Sequence, residues 1–243
     1  MKATLSGAAL LLACATSAAL AQTPAPGPVP TAACASAVAT LNRDLRDRKN
    51  VDALLAAASL HEAGHCVERS DAKAAEYLGQ AARAGSAVGA RRLARKFATG
   101  QGVPQSYANA GAWLDGKGVS NEALGAWDYS IGYAYAVLTE LLARVHYPVD
   151  ALAPQTEAAF VVEINALLAR TLELRPTAPD AAARGPLYAA VQAAFAAALP
   201  TALAALPAPD PKLLVVARVT QPVSLRLDDR ASLDVLVDEP LLH

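Results

Sequence analysis

The chain has 243 residues, with 21 lysines and arginines against 22 aspartates and glutamates and a net charge of -1. This balance excludes the electrostatic footprint of a nucleic-acid binder. The length suffices for one domain, or one and a half, with its own core.

The first 21 residues read as an export signal. Lys2 supplies a positive start, Ala8 to Ala13 an apolar run, and Ala19-Leu20-Ala21 a small-x-small cleavage site before Gln22. Cleavage there predicts a periplasmic or secreted product. Leu11-Leu12-Ala13-Cys14 loosely resembles a lipoprotein box, which would put a lipid on Cys14, but leucine before the small residue is atypical. Residues 22–30 form a Pro-rich linker that should stay extended. Thr31 can cap a leading helix running to about Arg48, whose stripe Cys34, Val38, Leu41 and Leu45 would face inward.

A pattern then recurs. Phe97, Gly100, Val103, Ser106, Ala110 and Trp113 fall 36 residues after His61, Gly64, Val67, Ser70, Ala74 and Tyr77. A period in this range predicts helical hairpins that bury their apolar faces against one another. Gly64 or Gly100 would stop the first helix of each hairpin, and Ser70 or Ser106 would cap the second. The pattern resembles the Sel-one-like repeat, a bacterial relative of the tetratricopeptide repeat, over about a third of the chain. One repeat would span Val51 to Gly85 and the next Ser86 to Ser120, so that 31–120 holds the leading helix and both repeats. Ala81-Ala82-x-x-Gly85 fits the way this family closes its second helix, whereas the second repeat has Lys117-Gly118 instead. The resemblance implies an adaptor that holds another polypeptide, with a groove around Leu54, Ala58, Arg91 and Arg95.

Beyond Asn121 the register is lost. Ile131, Tyr135, Leu138 and Leu142 form one helical stripe, and Phe160, Ile164, Leu167, Leu168 and Leu172 another. The turn Tyr147-Pro148-Val149-Asp150 with Pro154 would join them. Residues 121–206 therefore predict a degenerate capping helical hairpin followed by an uncharged segment, Leu187 to Leu206. That segment reads as a packed Ala-rich helix, not a transmembrane span, because alanine gains little in lipid and Pro200 interrupts it. Residues 207–243 read as a short β-strand tail. Its strands are Leu213 to Ala217 resumed at Val219, then Val223, Leu225 and Leu227, then Leu233, Val235 and Val237, with a turn at Asp228-Asp229. Strands so few must pack on the helices or on a partner. The predicted fold class is mostly α: a short α-α repeat (solenoid) stack with a degenerate capping hairpin and a small C-terminal β segment.

Past the signal two cysteines remain, Cys34 and Cys66. In an oxidising compartment they predict a disulfide pinning the leading helix to the first repeat, the alternative being a free thiol or a thiol ligand. Arg91, Arg92, Arg95 and Lys96 read as the solvated face of one helix, and Trp113 and Trp127 as core aromatics. His61-Glu62-Ala63-Gly64-His65 matches His-Glu-x-x-His, in which one helical face presents two zinc ligands and a glutamate base. Yet His61 aligns with apolar Phe97, Gly64 is the helix terminator, and only His146 and His243 remain as further histidines. The expectation is therefore a buried, hydrogen-bonded His61, an exposed Glu62 and His65, and no cofactor. The expected function is a non-enzymatic interaction protein of the bacterial envelope with a protein or peptide partner. The alternatives are a zinc-dependent metalloprotease or hydrolase using His61, Glu62 and His65, and an envelope-associated structural lipoprotein.

Overall fold

The computed structural model describes residues 31–47, 50–119, 123–147, 157–167, 172–176, 186–227, 233–237 and 240–242. The expected signal with Cys14, the linker, Ser120, the turn after Tyr147 and the Asp228-Asp229 turn lie outside them. The described chain is mostly helical and carries an antiparallel sheet. The helices are α1 (Ala32–Asp44), α2 (Val51–Ala63), α3 (Asp71–Arg83), α4 (Ala87–Thr99), α5 (Tyr107–Leu114), α6 (Ala126–Leu142) and α7 (Pro186–Ala204). The strands are β1 (Glu157–Asn165), β2 (Leu172–Pro176), β3 (Arg218–Leu227), β4 (Leu233–Val237) and β5 (Leu241–Leu242).

Local chemistry sets the helix ends. The side chains of Asn50, Ser70, Ser86 and Ser106 each accept a backbone N–H three residues on, which satisfies a donor the first turn leaves open. α2 and α4 both span 13 residues and end on glycines in the left-handed region, Gly64 at φ 70° and Gly100 at φ 73°. The Ser70 N–H donates to the His61 carbonyl and the Ser106 N–H to the Phe97 carbonyl, both at 2.9 Å. α3 runs 13 residues and α5 only 8, ending at Leu114, and Lys117-Gly118, in the places of Ala81-Ala82, fall in a separate 3-10 turn.

α1 differs from expectation. Its stripe of Cys34, Val38, Leu41 and Leu45 is only half-buried and none of its residues is buried, because the helix lies along α2 with an open groove between the two. Cys34 and Cys66 form the expected disulfide, with Cα atoms 5.0 Å apart. Cys66 sits at φ 60°, the left-handed place that Gly102 occupies at φ 76°.

The second half corrects the sequence expectation. Phe160 and Ile164 belong to strand β1, not to a capping helix, and Leu172 opens β2. The reason is periodicity: a spacing of four residues satisfies a helical stripe and also period two, and along β1 Phe160, Val162 and Ile164 are all buried. The strand order is β2-β1-β3-β4, with β5 also on β3. β3 pairs antiparallel with β1 from Asn165↔Arg218 to Glu157↔Arg226, so the sheet joins both sides of the expected boundary at 206/207. Pro222, which has no N–H for a ladder, falls between the residues paired with β5 and those paired with β4. Leu213 to Ala217 is not a strand. A 3-10 turn at Pro211–Leu213 leads into a strap tied across α5 and α6. Ser130 Oγ accepts the Val215 N–H at 2.9 Å and donates to the Leu213 carbonyl at 3.3 Å, and Tyr107 OH donates to the Pro207 carbonyl at 2.8 Å.

The main core gathers α6, α7 and the inner sheet face: Ile131, Val137, Leu138, Val191, Phe195, Val219 and Leu225 are all at most 1% exposed. α7 is long and apolar enough by composition to cross a membrane, and its Val191, Phe195, Leu199 and Ala202 pack into this core. A smaller cluster of Ala58, Ala75, Leu78 and Leu93 lies among α2, α3 and α4, and Phe97 packs on both. Trp127 packs half-buried on the main core and Trp113 on the smaller one.

α5 and α6 meet backbone to backbone. A Cβ on Gly111 would overlap the Asp128 carbonyl oxygen, and one on Gly132 the Tyr107 carbonyl oxygen. Gly132→Ala should therefore destabilise the protein by about 3 kcal/mol in urea unfolding. Gly125→Ala, whose Cβ would meet open space, should cost under about 1 kcal/mol. Equal effects would refute the close crossing. Replacing both Cys34 and Cys66 with serine should leave the unfolding of the remainder nearly unchanged but speed protease cleavage within residues 31–50. A large drop in global stability with no new cleavage would contradict the peripheral docking of α1.

Candidate functional site

The His61-Glu62-Ala63-Gly64-His65 segment spans the end of α2. His61 lies in its last turn, Gly64 turns the backbone into the left-handed region, and exposed His65 follows outside the helix. The two histidines therefore do not share one helical face, which a pair of zinc ligands at this spacing requires. His61 is half-exposed, not buried. Its Nδ1–H donates to the Glu68 carbonyl at 3.0 Å, and its ring stacks on Tyr77 at 5.7 Å with planes 12° apart. His61 and Tyr77 stand 36 residues before Phe97 and Trp113.

Glu62 is engaged elsewhere. Its carboxylate meets Arg92 at 2.5 Å and Lys96 at 3.1 Å, and Lys96 also meets Asp71 at 3.0 Å. Lys96 was expected on a solvated face, but its side chain is 4% exposed, held among α2, α3 and α4 by those two carboxylates. A buried ammonium needs such partners, since leaving water alone would cost several kcal/mol. Burial raises the Glu62 pKa, but the hydrogen bonds and charges of Arg92 and Lys96 outweigh it and hold the carboxyl below its ordinary 4.5. The sequence carried a signal for Lys96: it stands three residues after Leu93 and seven after Gly89, in the buried stripe of α4.

The expected groove residues are divided. Leu54 and Ala58 are 1% and 0% exposed, so they belong to the core and line no groove. Their helix instead presents Asp52, Ala56, Ser59 and Ala63 outward, and these line the open α1–α2 groove of about 930 Å³. Arg95 is exposed. Arg91 is half-buried and lines a cleft of about 220 Å³ with Trp113, Pro240 and Leu242.

Glu62→Gln leaves Lys96 with Asp71 alone. Because Glu62 keeps 32% of its side chain in water, the expected loss is about 1–2 kcal/mol. A carboxyl with a lowered folded pKa stabilises the protein above its unfolded pKa, and that contribution is lost as pH falls through the folded value. Wild-type stability should decline below about pH 4.5 through this group, and Glu62→Gln should flatten that part of the curve. Identical pH profiles for the two proteins would refute the role of the network. Comparison of the chain with protein-family models, curated proteins and solved structures finds no match.

Proposed function

We propose that the chain is an exported, non-enzymatic interaction protein of the bacterial envelope, built on two Sel-one-like helical repeats that present exposed helix faces to another polypeptide. One observation carries this reading: α2–α3 and α4–α5 repeat their caps, their left-handed glycines and their Ser N–H to carbonyl closures 36 residues apart. Arrays of such hairpins serve as surfaces for extended partners. α6 and the strand-bearing second half would then close the free end of the array, which a solenoid needs to keep its apolar face from water. The half-exposed Cys34–Cys66 disulfide supports export, because such bonds persist in oxidising compartments.

A photo-crosslinking residue at exposed Arg95, in the native envelope, tests the reading together with the zinc content of the purified protein. The expected result is a discrete protein adduct at Arg95 and no stoichiometric zinc. Stoichiometric zinc that disappears in His65→Ala would overturn it in favour of a metal-dependent hydrolase.

A further inference from the structure

α1 is tied at both ends yet its inner stripe is only half-buried. The loop to α2 holds its C-terminal end and the Cys34–Cys66 bridge its N-terminal end, while none of its residues is buried. Between these ties α1 and α2 leave a groove of about 930 Å³, open along its length and predominantly apolar. Leu41 on one side and Ala53, Ala56 and Leu60 on the other form its walls, and the alanines allow a second chain to approach closely.

Two carboxylates line the groove, with His65 at its far end, while the exposed Arg43 and Arg46 flank Asp44 in sequence outside the lining. Among the described residues that line it, Asp44 and Asp52 are the only acids and none is a lysine or arginine. Both acids stand at the loop end, one finishing α1 and the other in the first turn of α2. Arg92 approaches through Ser59 Oγ at 3.1 Å, but it is committed to Glu62 at 2.5 Å. Asp52 gains from the positive end of its helix, whereas Asp44 lies at the negative end of α1, where a carboxylate gains nothing from the helix it belongs to. An incoming cation would relieve that placement.

We propose that the α1–α2 groove docks a cationic amphipathic segment of a partner protein. Its aliphatic side chains lie on Leu41, Ala53, Ala56 and Leu60, and its lysine or arginine meets Asp44 and Asp52. This is the helix-in-groove mode, in which apolar anchors supply affinity and the charges set orientation. The volume lies in the range of ordinary ligand pockets, and a trough open along its length suits a peptide better than an enclosed small molecule. The inference rests on the interaction-protein reading and names the chemistry of the partner.

The test uses the disulfide-bonded full chain and two fluorescent peptides, one with leucines and lysines at helical spacing and one with glutamate in place of lysine. Fluorescence anisotropy should show the lysine peptide binding about tenfold or more tighter than the glutamate peptide. Asp44→Asn combined with Asp52→Asn should weaken it about tenfold, and Ala56→Trp, which fills the trough from an exposed position, by a similar factor. Circular dichroism should stay unchanged in both variants. Equal binding of the two peptides, no binding of either, or affinity unmoved by the variants would overturn the proposal. An adduct at Arg95 alongside such a failure would remove the groove alone, whereas loss of both would remove the interaction reading as well.

Discussion

The structure turns on the place where α5 crosses α6 with two backbones in contact. Gly111 and Gly132 admit no side chain there, since each Cβ would fall on a carbonyl oxygen of the opposite helix. The approach locks α6 to the second hairpin and leaves the rest of its surface for Phe160, Val162, Phe195 and Val219, which belong to the sheet and α7. Tyr107, beside the crossing, donates its hydroxyl to Pro207, and burial raises its phenol well above the ordinary 10, with Tyr133 and Tyr129 adding to the shift. A single close contact therefore fixes how the helical half meets the strand-bearing half, and the strap from Pro207 to Val215 is laid over it.

What could be read from the sequence is what has a local cause. A left-handed cap asks for glycine and an open helix N-terminus asks for serine, so Gly64, Gly100, Ser70 and Ser106 announce the hairpins without knowledge of their neighbours. That the α7 segment packs in the protein was legible from composition, since an uncharged run made mostly of alanine and containing Pro200 gains little in lipid. Strand β1 was not. Phe160 and Ile164 fit a helix and a strand equally well, and only pairing with Val223 and Val219, more than 50 residues away, decides between them. The central position of β3 is non-local in the same sense, because nothing within Arg218–Leu227 says that β1 lies beside it.

The candidate site shows how a helical hairpin can reuse a familiar string of residues. His-Glu-x-x-His needs a continuous helix through all five positions, and one left-handed residue at Gly64 removes that condition. The hairpin then puts the same side chains to structural use: His61 stacks as Phe97 packs 36 residues later, and Glu62 neutralises a lysine carried by α4. Lys96 in turn draws Asp71 from the helix between them. The network links three successive helices by charge where their apolar contacts are small.

Those contacts are small because the buried faces of α2 to α4 are largely alanine. Ala53, Ala57, Ala58, Ala74, Ala75, Ala81, Ala94 and Ala98 form much of the buried surface of α2 to α4, and each methyl contributes only about 0.8 kcal/mol on burial. An interface of this kind lets helices lie close but gives a terminal helix little to hold on to. α1 brings Val38, Leu41 and Leu45 to that end and leaves them only half-buried. The disulfide substitutes a covalent tie for a hydrophobic one, acting on the chain entropy of one helix and leaving the global fold aside. Because the tie needs only the two ends of the α1–α2 pair, the space between the helices stays unfilled. Weak packing and an available groove are thus two consequences of the same choice of residue.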